Sequence, residues 1–315
     1  MDVLVVGAGV VGSATGRGLS KLGHRVRFVD TSPGVVVSLA SEGFDACLPT
    51  EYSKQNFAPR VAILSVPTPE MPDGQVNLSY IDKAAQFCAN NVVGTNADDH
   101  VTIVVRSTVP PGTTRSRILP RIAETVGSDP GSTYSICFHP EFLRAVSADE
   151  DFMNPWAIVA GVEDNRSREA IMKLYEKIEC GVMFTDIETA EMIKYASNCF
   201  NATKISFSNE IWNLAAKLGL NGNRVLAIAR NTAEGYWNQT YGTLGGRPYG
   251  GTCLPKDTSG LLSFAQRLGV DMPLLSAVIE VNDRMEAMAD DGEVAQATIA
   301  GPYREPSPAL AEPAK

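Results

Sequence analysis

The sequence lacks a surplus of positive charge. Its 27 Lys and Arg stand against 36 Asp and Glu, a formal net charge of −9. Phosphate-rich surfaces attract basic patches, so this balance argues against nucleic acid or an anionic membrane as a partner. A few local Lys and Arg side chains still suffice to hold an anionic small molecule. No apolar run reaches the length of a membrane span. The N-terminal MDVLVVGAGVVG has neither a basic n-region nor a small-residue cleavage site, and it reads as a strand and turn rather than a signal peptide. The six cysteines (Cys47, Cys88, Cys137, Cys180, Cys199, Cys253) show no paired spacing, no CxxC and no neighbouring His. That pattern argues against a disulfide framework or a zinc site, fits a reducing cytosol, and leads to the expectation of a cytoplasmic protein without metal. The remainder is ordinary for a globular chain, with 44% apolar and 20% charged residues. At 315 residues, two domains are expected.

Val3–Val6 is a short β-branched run followed at once by Gly7-Ala8-Gly9-Val10-Val11-Gly12, and an amphipathic helical stretch runs on to about Leu22. Arg25–Asp30 then reads as a second strand ending in an acid. Later apolar runs at Val61–Val66, Val101–Val105, Ser135–Phe138 and Ile158–Val162 fit further buried strands with helices between most of them. Alternating strands and helices predict an α/β fold with a parallel, doubly wound sheet. The pattern changes near Asp186. From about Glu188 to Leu218 one long helix is expected, free of Pro and Gly, ending at Gly219. A Gly-rich loop, Gly242–Gly251, leads to Cys253 and a further helical region reaching about Ala289. The expected division is a Rossmann domain over 1–187, a helical domain over 188–290, and a disordered tail over 291–315, rich in Pro, Ala and Glu.

The first glycine cluster carries chemistry. Gly7 allows a tight turn, Gly9 lets a pyrophosphate approach the backbone, and Gly12 allows close packing of helix on strand. The helix that begins at Val10 and Val11 offers free N–H groups to phosphate. Asp30, at the end of the next strand, is placed to bind the adenosine ribose hydroxyls and to repel a 2′-phosphate. This context predicts NAD as the cofactor rather than NADP.

Other segments are ambiguous one at a time. Arg106-Ser107-Thr108-Val109-Pro110-Pro111-Gly112-Thr113-Thr114 follows a strand, where ligands bind in this fold, yet it also reads as a plain Pro-Gly turn. In His139-Pro140-Glu141-Phe142-Leu143-Arg144, Glu141 also reads as a solvated loop acid. Lys194 and Asn198 share a helix face at i,i+4, suited to stabilising an oxyanion or simply to facing solvent. Cys253, after Gly250 and Gly251 and near Lys256 and Asp257, suits a thiolate nucleophile or a buried structural cysteine.

Taken together, the motifs GAGVVG, VPTP (Val66–Pro69), STVPPGTT, PEFLR, ETAEMIKYASN and GGTCLPKD resemble the UDP-glucose/GDP-mannose 6-dehydrogenases, in that family's order, over roughly residues 1–290. The resemblance implies oxidation of a nucleotide-sugar primary alcohol to a carboxylate with two NAD. It implies that Cys253 attacks the intermediate aldehyde, that Lys194 and Asn198 stabilise the alkoxide and the tetrahedral oxyanions, and that Asp257 acts on the attacking water or as a general base. It implies further that Thr108 and Glu141 hold water and NAD near the reaction centre. NAD contacts are implied at Gly7, Gly9, Val10, Val11, Gly12, Asp30, Val66, Pro67, Thr68, Ser107, Thr108, Glu141, Cys253 and Lys256. Substrate contacts are implied at Phe142, Leu143, Arg144, Lys194, Asn198, Lys204, Asn209, Tyr249, Gly250 and Gly251, within a loop that begins near Arg247. A homodimer through the long helix is also implied.

The chain departs from the family pattern in two places. Position 145, after PEFLR, is usually Glu and here is Ala. The chain also ends where a further Rossmann-like domain is expected to begin, with VAQATIAGPYREP (Val294–Pro306) as its vestige. These departures lead to the expectation that the substrate is not standard UDP-glucose or GDP-mannose, but a modified nucleotide sugar or a smaller sugar or nucleoside. Two other readings stay open: a two-electron dehydrogenase stopping at the aldehyde or ketone, and a non-catalytic NAD-binding subunit.

Overall fold

The computed structural model describes residues 1–94, 99–131 and 133–293. The segment Val294–Pro306, and the expected tail from residue 294 onward, lie outside the described residues.

The β-branched runs form a single eight-stranded sheet. In chain order the strands are β1 (Asp2–Val6), β2 (Arg25–Val29), β3 (Asp45–Cys47), β4 (Val61–Leu64), β5 (Val101–Val105), β6 (Tyr134–Phe138), β7 (Ile158–Gly161) and β8 (Val182–Thr185). Their spatial order is β3-β2-β1-β4-β5-β6-β7-β8. Alternate side chains of one strand feed two separate cores, as a pleat with period two requires. Val3 and Val5 of β1 join one core with Leu19 of α1 (Val10–Lys21) and Phe152, while Leu4 and Val6 join the other with Ile81, Ala85 and Cys88 of α3 (Ser79–Asn91). Both sheet faces are covered, which is why the central strands are apolar throughout. The order reverses between β1 and β4, and the crevice at that switch point is where such sheets bind ligands.

The sheet is not wholly parallel. β7 pairs antiparallel with β6 through one residue pair, Phe138 with Gly161, and then parallel with β8. The connection from β6 to β7 carries only a six-residue helix, α5 (Ala148–Met153), whereas the ten-residue α6 (Asn165–Leu174) spans β7 to β8 as a full crossover. Where the backbone ladder stops, a side chain replaces it. His139 Nδ1 lies 2.6 Å from the Val159 carbonyl, and Nε2 lies 2.7 Å from the Tyr175 hydroxyl. A carbonyl can only accept, so Nδ1 carries the proton and Nε2 accepts from the tyrosine.

Two compact units divide between Asn198 and Cys199, inside the 31-residue α7 (Ile187–Lys217). The second unit has its own small core of Leu214, Ala265, Met272 and Leu275. These residues come from α7, α10 (Leu254–Arg267), the turn after α10, and α11 (Pro273–Asp290). Among the described residues no helix is long and apolar enough to cross a membrane.

Burial pushes the His139 ring down to about 3, with the nearby Arg106 charge acting in the same direction. The unfolded ring titrates near 6.5. Between these values the unfolded chain binds a proton that the folded chain refuses. Stability should therefore fall as pH drops from about 6.5 toward 3, by up to about 1.4 kcal/mol per pH unit from this group. Urea denaturation at several pH values should give a flatter profile for His139→Gln than for the parent. An identical slope would rule out the ring as the cause.

Candidate active site

The glycine turn at the end of β1 is as tight as its sequence implies. Gly7 has φ +90°, and a Cβ there would meet the Ser65 carbonyl oxygen at 2.4 Å. A Cβ on Gly12 would lie 2.0 Å from the Gly7 oxygen, whereas one on Gly9 would meet nothing within 4 Å. Gly9 thus leaves the backbone open on the side where α1 begins, with the exposed Val10 in its first turn. Asp30 has a structural task of its own. Its Oδ2 accepts from Ala8 N at 2.7 Å and its Oδ1 from Ser32 N at 2.8 Å, so one carboxylate holds the loops after β1 and β2 in register. A cavity of about 650 Å³ lies against this turn, lined by Gly9, Val10, Ser13 and Arg17 on one side and by Ala145 and Val146 on another. Position 145 therefore sits beside the glycine turn. The open Gly9 backbone, the uncapped N–H groups of α1 and the adjoining cavity fit a dinucleotide.

The loops after β4 and β5 are tied together at the same sheet edge. Ser107 Oγ donates to the Val66 carbonyl at 2.7 Å and accepts from Val66 N at 2.9 Å. Thr68 Oγ1 donates to the Thr108 carbonyl at 2.8 Å. Pro67 between them is exposed.

Lys194 is buried, and Glu141 holds it. The ammonium donates to Glu141 Oε1 at 2.8 Å and to the Glu141 carbonyl at 2.6 Å, and it lies 5.6 Å from the Phe142 ring centre. Glu141 Oε2 accepts from Leu143 N at 2.6 Å. An ammonium has three protons, so one donor of Lys194 remains for a further acceptor. Asn198, one turn along α7, is exposed. Arg144 is drawn away from this group: its guanidinium forms a two-pronged pair with Asp151, whose carboxyl it holds well below the usual range.

Glu191, not among the site residues expected from the sequence, also belongs to this region. Fully buried on α7, it accepts backbone N–H groups from Gly112 and, at 2.9 Å, Thr114. Burial pushes its carboxyl above the usual range, against the pull of those donors. The signal was present: Glu191 and Lys194 are spaced i,i+3, which puts both on one helix face. That face clamps the STVPPGTT loop with one side chain and the PEFLR loop with the other.

In the second unit, Cys253 is exposed at the N-cap of α10, with Sγ 3.8 Å from Thr252 Oγ1. Lys256 and Asp257 pair with each other in the first turn, both exposed, and the carboxylate raises the lysine's pKa. Gly251 has φ +82°, and Tyr249 N donates to Asn282 Oδ1 at 2.7 Å. A cavity of about 680 Å³ is lined by Tyr241, Arg247, Tyr249, Leu254, Val278 and Met285. Lys204 Nζ lies 4.5 Å above the Tyr236 ring, and Asn209 is exposed on α7.

A doubly wound sheet with an open glycine turn at its switch point and an acid closing the next loop is the architecture of a dinucleotide-binding domain, and the family matches that follow make it that of an NAD-dependent dehydrogenase acting on a CH–OH group. Residues 47–179 match the NAD binding domain of the UDP-glucose/GDP-mannose dehydrogenase family, and residues 188–284 match its central domain. The chain belongs to that family. It is 34% identical to the UDP-glucose 6-dehydrogenase YwqF of Bacillus subtilis (strain 168), with 92% of this chain aligned to 68% of that protein. It is 32% identical to the GDP-mannose 6-dehydrogenase of Pseudomonas putida, over 90% of this chain and 68% of that one. Among solved structures it resembles a ternary complex of the GDP-mannose dehydrogenase of Pseudomonas aeruginosa, with a TM-score of 0.84 and 29% identity, covering 92% of this chain and 70% of that one.

The Asp30 carboxylate, fixed by Ala8 N and Ser32 N, should favour NAD over NADP by at least about tenfold, or roughly 1.4 kcal/mol. Titration calorimetry with both dinucleotides measures the ratio. Equal affinities would remove Asp30 from the ribose site.

Proposed function

We propose that the chain oxidises the primary alcohol of a nucleotide sugar to the carboxylate by way of a Cys253 thioester. The observation that carries this reading is the buried Lys194 ammonium, held by Glu141 with one proton free. A desolvated, fixed donor of this kind stabilises oxygen charge as it develops. Bound NAD supplies the hydride acceptor for each of the two oxidations. Lys194, with Asn198 on the same helix face, stabilises the alkoxide as the first hydride leaves the sugar carbon. Cys253 Sγ then adds to the aldehyde carbon, giving a thiohemiacetal. Loss of the second hydride leaves a thioester on the same sulfur. Water, oriented by Asp257 and Thr108, releases the acid and regenerates the thiol. Cys253 stands at the start of a 14-residue helix, where the dipole favours negative charge. The cavity beside it, lined by Arg247, Tyr249 and Leu254, is the candidate seat for the sugar. The relatives named for UDP-glucose and GDP-mannose support the substrate class.

We place the enzyme in the cytoplasm, in keeping with its six free cysteines. A homodimer through α7 is supported by the large apolar side chains exposed along it, among them Phe200 and Ile205, each 63% exposed.

Incubation with UDP-glucose, GDP-mannose and their relatives should yield two NADH per sugar for the cognate substrate; a stoichiometry of one would end the four-electron reading. Cys253→Ala should abolish acid formation while leaving slow aldehyde production, since the first hydride transfer needs no thiolate. Acid formed by this variant at the parent rate would refute the thioester. Lys194→Ala should lower kcat by about 10²–10³ with little change in NAD affinity. A change confined to KM would reduce Lys194 to a ground-state contact.

A further inference from the structure

The loop that carries Cys253 passes through two glycines. Gly250 and Gly251 stand just before Thr252 and the cysteine, and Gly251 takes φ +82°. Glycine loses more freedom on ordering than any other residue, so a thiol hung on this pair wanders unless the chain is fixed close by. Downstream it is fixed by the first turn of α10, where Asp257 N donates to the Cys253 carbonyl at 2.8 Å. Upstream the fixing point is Tyr249, whose N–H donates to Asn282 Oδ1 at 2.7 Å across 33 residues of sequence.

Asn282 is an unexpected residue for its place. It lies within the 18-residue α11, 6% exposed, at helical spacing from Leu275, Val278 and Met285. Asparagine is a poor helix former, and a buried amide is tolerated when both its ends are answered. Both are. The oxygen takes the Tyr249 N–H, which fixes the orientation of the amide, and Nδ2 donates to Glu286 Oε1 at 3.0 Å. The helix that presents this amide is itself held. Glu210 accepts from Leu274 N and Leu275 N at the start of α11, and Leu275 shares the small core with Ala265 of α10. Cys253 is the N-cap of that same α10.

We propose that Asn282 is a positioning residue for the nucleophile: it clamps Tyr249 so that Gly250–Thr252 deliver the Cys253 thiol to the aldehyde in one place. The proposal rests on the Cys253 thioester reading. Both polar ends of the side chain are already taken, so Asn282 acts through the loop rather than on the sugar. Its effect falls on the capture of the aldehyde, since the first hydride leaves before the thiol is needed.

Hydrogen exchange on the full chain, without substrate, reads the clamp directly. The Tyr249 amide should be protected in the parent and in Asn282→Asp, which keeps an acceptor oxygen. It should exchange freely in Asn282→Leu, which is similar in size and has no acceptor, while the amides of α10 and α11 keep the parent's protection. With whichever of UDP-glucose and GDP-mannose the enzyme turns over, Asn282→Leu should form acid about 10²-fold more slowly, the effect of a misplacement of roughly 1 Å. Aldehyde should be released and NADH per sugar should fall from two toward one, at unchanged KM and NAD affinity. Asn282→Asp should restore acid formation. A freely exchanging Tyr249 amide in the parent would overturn the proposal. So would acid formation at the parent rate by Asn282→Leu, or an equal loss in Asn282→Asp. Acid formed by Cys253→Ala would end the thioester reading, and this role with it, even with the Tyr249 amide still protected. Should Asn282→Leu fail to fold, Asn282→Ala takes its place in both assays.

Discussion

Much of the candidate active site depends on buried carboxylates carried by α7. Glu191 takes the free N–H groups where the segment after β5 turns into a helix, and Glu210 does the same for α11, accepting from Leu274 and Leu275. Helix starts leave donors that must be answered when water is excluded. Answering them from a neighbouring helix, rather than by a local cap, joins each loop to α7. Within the first unit, Lys194 adds a third tie, to the loop after β6. The loops around Thr108 and Glu141 are therefore not independently placed. Both take their position from one turn of α7, residues 191–194, which is how a site assembled from strand ends keeps its geometry.

The same economy is visible at the dinucleotide crevice. Asp30 would serve the cofactor with the carboxylate that also holds Ala8 and Ser32. A group already pinned by two backbone donors has little freedom left to lose when a ligand arrives, so ligand binding carries less of an ordering cost. Ser107 acts similarly between the loops after β4 and β5.

The central strands were legible in the sequence because burial on both faces demands unbroken apolar runs. β5 was read to the residue, and α7 to within one residue at either end. β3 and β8 were not seen. They form the two edges of the sheet, with three and four residues and half-buried patterns, so their side chains carry little of the signal that burial imposes. The antiparallel turn at β7 was also missed, because strand direction depends on the length of a connection rather than on the strand's own residues. The glycine turn was readable because each glycine answers a local steric demand. The Lys194–Glu141 pair was not, since 53 residues separate its partners and each alone reads as a solvated charge.

The seam between β6 and β7 divides the sheet unevenly. Six strands share continuous ladders, while β7 and β8 join them through one backbone pair and an imidazole. A seam with so few main-chain bonds is the kind of place where a sheet divides into separately opening units. The outer pair can part from the rest at the expense of few main-chain bonds, letting its amides trade with solvent while β1 and β4 stay closed. The cofactor crevice thus lies among the strands whose ladders are continuous, three strands away from that thin seam.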